Sequence, residues 1–290
     1  TSQYRAKHVM QATRGCPYDC NFCAVTGVFG RKFRTRPVSE VVDEIRACDT
    51  RDFFFVDDNI CGNPAYAKEL FQALIPLRKT WGGQTSITFA RDDELLDLYA
   101  KSGGKYAFIG FESISDDKLA GLNKRWSRAD TYGEAIRKIH RAGINILGSF
   151  IFGLDGEDVS VFRRTMEFVQ EHRIDAAEYH VLTPFPGTRL YDTLESEGRI
   201  FDRDWSKYHT AEVVFQPKGM SAEELQDGFY EVFRETYSIR NVLKRSFRSW
   251  RGITYRLAMN YGYRRKALRM PKTKRRIMAP SNPSVAPAHP

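Results

Sequence analysis

Six short apolar runs recur along the chain, most followed by an amphipathic stretch, and this alternation narrows the fold more than any other feature. HVMQATR (8–14), DFFFVD (52–57), TSITFA (85–90), YAFIGFE (106–112), INILGSFIF (144–152) and AAEYHVLT (176–183) have strand composition. Several are continuous rather than alternating, as expected of parallel strands covered on both faces. Residues 38–48, 64–79, 92–102, 128–142, 157–172 and 188–197 carry helical periodicity. In SRADTYGEAIRKIHRAG, Ser127 reads as the N-cap, Ile136 and Ile139 as the apolar face, and Gly143 as the stop. Ser221 and Glu224 open a further helix over 221–235 with a capping-box pattern. Strand–helix units in series require parallel pairing with right-handed crossovers. The expected fold class is α/β: a partial parallel (βα)6 TIM-like barrel with a C-terminal helical basic extension. The expected organisation is a core barrel over 1–200, an extension over 201–278 that is basic after 235, and a Pro-rich disordered tail over 279–290.

Composition excludes several classes. With 42% hydrophobic and 28% charged residues, the chain is ordinary for a globular protein. It has no run of about 18 apolar residues to span a bilayer, and its start, TSQYRAKHVM, has no apolar signal region. Five cysteines without a secretion signal favour reduced thiols or metal ligands over disulfides, and a cytoplasmic location. The sequence opens without Met and soon reaches its first strand, so it reads as a piece of a longer chain. The net charge of +9 is unevenly spread. No Asp or Glu follows Glu235, whereas 14 of the 45 Lys and Arg do; the 31 before it face all 36 acidic residues, a net −5. The basic segment interleaves Trp250, Tyr255, Tyr261 and Tyr263, a pattern that suits RNA or an anionic membrane surface as well as a solvated helix.

RGCPYDCNFC (14–23) places Cys16, Cys20 and Cys23 together at the end of the first strand, the mouth where parallel barrels keep their chemistry. A structural zinc site wants four ligands, and Cys48 and Cys61 stand alone, so zinc is a poor match. Three thiolates suit a [4Fe–4S] cube with one iron left open. An inert thiol cluster or a zinc knuckle is the alternative.

Cys16-x3-Cys20-x2-Cys23, with the aromatic Phe22 before the last cysteine, resembles the cluster motif of the radical S-adenosylmethionine enzymes. That resemblance implies a [4Fe–4S] cluster on the three cysteines and S-adenosyl-L-methionine chelating the fourth iron. It also implies reductive cleavage of the sulfonium to a radical that abstracts hydrogen from an unreactive carbon. Asp57, Asp58 and Asn59, in FFFVDDN (53–59), stand where the family places acceptors for the cofactor's ammonium group. Glu112, with Ser113 beside it in GFES (110–113), resembles the ribose-binding position. SFIFGLDGE (149–157) resembles the family's GxIxGxxG pattern with Ser149 in place of the first glycine. Gly153 is thereby implied to let the backbone approach the adenine. LTPFPGTRLYDTLESEGRI (182–200) resembles the segment that passes beside the adenine, its turn fixed by Pro184 and Pro186.

VDDNICGN, TFARDDELL, LTPFPGT and KYHTAEVVFQPKGMSAEELQDGF (207–229) together resemble the cobalamin-associated branch, which includes the hopanoid methylases and the magnesium-protoporphyrin cyclase. That branch implies methylation of a lipid-like or other small molecule, with cobalamin supplied by a domain outside this sequence or by a partner. Radical tRNA modification, or a rearrangement, oxidation or cyclisation, are the alternatives. A non-catalytic electron-transfer module is the reading from another class. An electron donor such as flavodoxin or ferredoxin is the implied partner. Other residues that invite chemistry read as structural. Cys48 is a small hydrophobe, His180 a satisfied strand histidine on the face of Glu178, and Tyr18 and Asp19 shape the cysteine loop. Arg91 is expected to close the third strand, as an ion-pair partner or a carboxylate reader.

Overall fold

A computed structural model of the chain describes residues 8–30, 32–247, 252–273 and 277–278. The first elements are β1 (Val9–Met10), β2 (Thr13–Arg14), α1 (Val25–Phe29), β3 (Arg34–Thr35), α2 (Val38–Ala47), β4 (Asp52–Phe55), α3 (Pro64–Leu74), β5 (Thr80–Thr85) and α4 (Asp93–Lys101). They are followed by β6 (Gly104–Glu112), α5 (Asp116–Gly121), α6 (Tyr132–Arg141), β7 (Asn145–Phe152), α7 (Ser160–Glu171), β8 (Ala176–Val181) and α8 (Arg189–Ser196). The chain continues through α9 (Ala222–Thr236), α10 (Ile239–Ser246) and α11 (Ile253–Arg269). Strands β1, β4, β5, β6, β7 and β8 form one sheet in that order, parallel throughout. β1 and β8 are its two edges, so the barrel is open on one side. Local chemistry starts several helices where they are observed. Asn63, Asp92 and Thr188 accept the backbone N–H of Tyr66, Leu95 and Tyr191, and Ser221 and Glu224 complete a capping box on α9.

Three expectations need correction. The first strand divides: Thr13–Arg14 leaves the main sheet and pairs antiparallel with Arg34–Thr35. The third strand is Thr80–Thr85 rather than 85–90, and Ile87–Arg91 forms a 3₁₀ helix. TWGGQT hides its strand because glycine has poor β propensity. A Cβ on Gly82 would lie 2.9 Å from Tyr106 Cβ, and one on Gly83 3.3 Å from Phe55 Cβ, so neighbouring strands need the empty space. Arg91 therefore ends a 3₁₀ turn, where it donates to the Trp126 carbonyl at 3.0 Å. Lastly, Ser127 is no N-cap. It is buried against Tyr132, its Oγ 2.7 Å from the phenol oxygen, and the helix starts only at Tyr132.

The two faces of the sheet differ. Phe53, Phe55, Ala107, Ile109, Ile146, Phe150, Ala177, Tyr179 and Val181 lie under the helices and are buried. Burying one large apolar side chain contributes about 1.5–3 kcal/mol, so this face holds the fold together. Register places Phe54, Gln84, Phe108, Leu147, Ser149, Glu178 and His180 on the opposite, concave face. There Phe54, Phe108, Leu147, Glu178 and His180 are only half-buried and Gln84 is exposed. Val56, beyond the end of β4, is 47% exposed.

The C-terminal helices close the lower end of this concave face. Tyr255 on α11 stacks on Tyr106 of β6 with ring centroids 3.6 Å apart, Arg256 donates to Asn145 of β7 at 3.3 Å, and Lys266 pairs with Glu178 of β8 at 3.1 Å. Beneath it, Arg245 and Arg256 are fully buried, contrary to the expectation of a solvated basic tail. Arg245 donates to Asn260 and the Thr236 carbonyl, and Arg256 to the Ser246 carbonyl. Asp175 accepts from Ile146 N–H at 2.8 Å and lies 3.6 Å from Arg256 Nε. Buried charge is tolerated because each group finds such partners. Trp250 and the expected disordered tail over 279–290 lie outside the described residues. Among the described residues, no helix is long and apolar enough to cross a membrane.

Candidate active site

The cysteine loop is pinned from three directions. Asn21 donates through its side chain to the Gly121 carbonyl at 2.8 Å and receives Leu190 N–H on its own carbonyl at 3.0 Å. Arg189 holds Asp19 by its carboxylate and its carbonyl at 2.8 and 2.7 Å. Tyr18 stacks on Trp126 at 3.6 Å and shares a hydrogen bond with Thr88. Tyr18 and Asp19 thus fix the loop against the segment after α5, the 3₁₀ turn and α8.

Asp57 secures the loop's root. It is buried, and its two oxygens accept the backbone N–H groups of Ala12 and Thr13 and the Thr13 hydroxyl. Burial still raises its carboxyl above the usual range, against those hydrogen bonds. Asp58 accepts Gly15 N–H at 3.0 Å, and Asn59 directs Nδ2 toward Cys16 Sγ at 4.0 Å. Of the three, Asp58 and Asn59 line the cavity that holds the thiols; Asp57 is turned onto the backbone instead.

That cavity has a volume of about 150 Å³. Cys16, Cys20, Phe22 and Cys23 form one side, Gln84 and Ser86 another, and Gly110, Glu112, Lys124 and Trp126 a third. Glu112 reaches it through unusual backbone: the register slips between Gly110 and Glu112, and Glu112 has φ +62°, the left-handed region. Its carboxylate meets Lys124 Nζ at 2.8 Å, and that ammonium also donates to the Gly110 carbonyl at 2.8 Å. Lys124 Nζ lies 5.0 Å from the Trp126 ring centroid as well. Both members of the ion pair are nearly enclosed, with side-chain exposures of 4% and 11%.

Sequence reasoning missed Lys124 and Trp126. In LNKRW a lysine reads as solvated, and only the return of the loop after α5 brings it beneath Glu112. Two other expected residues sit elsewhere. Ser113 is buried, and its Oγ accepts Ser115 N–H at 3.3 Å outside the cavity lining. Gly153 has φ +96°, and a Cβ there would meet Leu225 Cδ2 at 2.7 Å and Phe215 Cζ at 3.3 Å. Its close neighbours are thus side chains of the C-terminal segment. A separate groove of about 250 Å³ does open beside the loop, between Asn21, Leu122, Leu154, Leu182 and Leu190. Cys48 ends α2 half-buried, and Cys61 lies in the core, its thiol pushed up to about 12 by burial.

The donor set fits a cationic cluster and a charged nucleotide. Burial raises the thiols of Cys16 and Cys23 and pushes Cys20 up to about 12, with Lys124 acting in the opposite direction on Cys20. Thiolates in such a place need a positive partner, which iron supplies. Trp126 Nε1–H is buried without a hydrogen-bond partner among the described residues, a donor free for a ligand.

Comparison with known proteins agrees with this geometry. The Radical SAM superfamily matches residues 10–169, and a domain of unknown function, DUF4070, matches residues 188–277. The chain is 36% identical over 240 residues to the bacteriochlorophyllide d C-12(1)-methyltransferase of Chlorobaculum tepidum, covering 81% of this chain and 52% of that one. It is 31% identical over 252 residues to the anaerobic magnesium-protoporphyrin IX monomethyl ester cyclase of Cereibacter sphaeroides, covering 84% of this chain and 40% of the relative. The chain thus spans about half or less of these curated relatives. In fold it is similar to the radical S-adenosylmethionine methyltransferase TsrM from Kitasatospora setae, solved with cobalamin and a [4Fe–4S] cluster. The TM-score is 0.67 at 15% identity over 90% of this chain and 61% of that one. A cysteine triad at the open mouth of a parallel half-barrel, matched over more than half its length, places the chain in the Radical SAM superfamily.

Proposed function

We propose that this chain is the radical-generating half of an enzyme that methylates an unreactive carbon of an apolar small molecule. The supporting observation is one cavity lined by three thiols, an enclosed Glu112–Lys124 pair and an unpartnered indole N–H. Membership of the superfamily makes a [4Fe–4S] cluster and S-adenosylmethionine its cofactors, and a reductant and a substrate its partners. Cys16, Cys20 and Cys23 would hold the cluster, which supplies the electron that splits the sulfonium.

The chain's own residues then have distinct tasks. Lys124 offers a cation to the cofactor's carboxylate. Asp58 and Asn59 offer acceptors to its ammonium, and Glu112 accepts from the ribose hydroxyls. Phe22 and Trp126 keep water from the reacting atoms. Asp57 holds the loop root rather than the nucleotide, and Gly153 packs α9 against the sheet. The groove at Leu154 and Leu182 suits the adenine ring.

Cobalamin enters this reading as the methyl carrier, from outside the residues described, and flavodoxin or ferredoxin as the donor. Both curated relatives are named for tetrapyrrole substrates, so a large apolar ring is the kind of substrate the concave face has to take. We do not favour tRNA modification, because Arg245 and Arg256 are buried and Tyr255 is stacked on Tyr106. Contact with anionic lipid would fall to exposed cations such as Arg265 and Arg269.

The test is anaerobic reconstitution followed by iron counting and product analysis. About four irons per chain and 5′-deoxyadenosine formed on reduction are expected. Alanine at Cys16, Cys20 or Cys23 should remove both while the far-UV circular dichroism stays unchanged. A cysteine variant that still forms 5′-deoxyadenosine would end the proposal.

A further inference from the structure

The base of the barrel carries charge that neither the cluster nor its nucleotide uses. At the N-terminal ends of β6 and β7, away from the cysteine mouth, an open cavity of about 1100 Å³ is lined by Lys105, Arg137, Arg141 and Arg173. Glu171 is the one carboxylate among its described lining residues. All four cations are exposed, and none has a side-chain hydrogen bond or ion pair among the described residues. Arg141 and Arg173 sit at the C-terminal ends of α6 and α7, where a cation offsets the helix dipole. Lys105 and Arg137 have no such duty. Four like charges around one concavity repel one another and raise its potential for anions.

Beside this cavity, α10 is packed inside out. A surface helix ordinarily buries its apolar stripe and exposes its charges. Here Arg245 and Ser246 face the interior and are fully buried, whereas Ile239, Leu243 and Phe247 are 61%, 45% and 51% exposed. Those three recur every fourth residue, so they form one stripe along the helix. Arg240 and Lys244 flank it, exposed and without ion pairs among the described residues. Arg256 ties the helix to the cavity: it donates to the Ser246 carbonyl at 2.9 Å and to Asn145, a lining residue, at 3.3 Å. An apolar stripe between cations, next to a cationic concavity, is the pattern of a helix that lies in a bilayer interface.

We infer that the base of the barrel docks on an anionic lipid surface, with Ile239, Leu243 and Phe247 entering the headgroup layer and the cavity cations meeting lipid phosphates. No helix among the described residues is long and apolar enough to span, so the chain lies on the bilayer through this face. A second copy is disfavoured, because it would set one basic face against another. A protein partner is read through interspersed charges that fix register, yet no acidic residue follows Glu235. A fluid layer of like anionic headgroups needs none. The inference goes beyond the proposed reaction and does not depend on it: the cysteine mouth, at the other end of the strands, stays open to its reductant.

Co-sedimentation of the reconstituted protein with vesicles tests this, using phosphatidylcholine alone and equal parts phosphatidylcholine and phosphatidylglycerol. The anionic vesicles should be bound about 10-fold more tightly or better, and added salt should weaken that binding. Ile239→Ser with Leu243→Ser removes apolar contact and should weaken it about 10-fold. Arg137→Glu with Arg141→Glu should weaken it by a similar factor and flatten the salt dependence. Both double variants alter exposed side chains and should keep the wild-type far-UV circular dichroism. Equal binding to the two vesicles, binding to neither, or variants that bind as wild type does would each overturn the inference. So would a dimer in sedimentation velocity that Leu243→Ser dissociates, since a second copy would then cover the face.

Discussion

Removing the ammonium from the enclosed pair at the site has a calculable consequence. Lys124 contacts Glu112 Oε1 and the Gly110 carbonyl, both at 2.8 Å, and neither charged side chain is more than 11% exposed. Lys124→Met keeps the length and apolar stem but strands the Glu112 carboxylate in a low-dielectric pocket. Breaking a buried pair from one side costs about 3–5 kcal/mol, because the remaining charge has lost its solvent and its partner. Glu112→Gln strands the ammonium instead, softened by the Gly110 carbonyl and the Trp126 face, so its cost is smaller. The double variant leaves neither charge, and its loss should fall short of the sum by about 1–3 kcal/mol. Urea unfolding of the iron-free protein, followed by far-UV circular dichroism with matched slopes, measures all four corners. If Lys124→Met lies within about 0.5 kcal/mol of wild type, the pair is solvated and this account of it is wrong. The same refutation follows from a coupling indistinguishable from zero.

Three other perturbations follow from local geometry. A Cβ at Gly110 would sit 2.2 Å from Glu112 Oε1, so Gly110→Ala should displace that carboxylate. We expect at least a 10-fold loss of S-adenosylmethionine affinity by equilibrium dialysis, with a lower melting temperature because the same oxygen pairs with Lys124; unaltered affinity would clear Glu112 of any role. Glu157 accepts the Gly153 and Leu154 N–H groups at 3.0 Å, and burial pushes its carboxyl up to about 7 from 4.5. A raised carboxyl favours the fold fully below about 4.5 and loses that contribution as pH rises through about 7, in total roughly 3 kcal/mol. Stability of Glu157→Gln relative to wild type should therefore grow across that window, and a flat difference would show that Glu157 ionises normally. Gly228 lies inside α9, where a Cβ would come within 2.1 Å of the buried Phe162 ring. Gly228→Ala should destabilise by about 1–3 kcal/mol despite alanine's advantage of about 1 kcal/mol in helices; a more stable variant would mean that α7 and α9 can part at no cost.

Reading from sequence succeeded where a signal is local and failed where it is relational. Five of the six apolar segments, all but TSITFA, and the caps at Ser221 and Glu224 announce themselves through periodicity and short-range hydrogen bonding. The TWGGQT strand does not, because its glycines answer to Tyr106 and Phe55 on neighbouring strands. Asp57 shows the same limit within a motif. Its position beside Asp58 and Asn59 suggests one shared duty, yet beyond the end of β4 its side chain bonds the backbone of Ala12 and Thr13 while its neighbours line the thiol cavity. The fourteen cations after Glu235 look like a solvated tail in composition, and nothing local reveals that Arg245 and Arg256 lie in the interior.

The spacing of Cys16, Cys20 and Cys23, and the series of strand–helix units that leads to a parallel sheet, belong to the sequence alone, since both depend on neighbours a few residues apart. Folding decided the company those thiols keep. It brought Lys124 and Trp126 under Glu112 from a loop, laid α11 across the floor of the concave face, and set Thr210 against His180 thirty positions away. Such pairings arise from chain reversals and sheet register, which no short stretch of residues encodes.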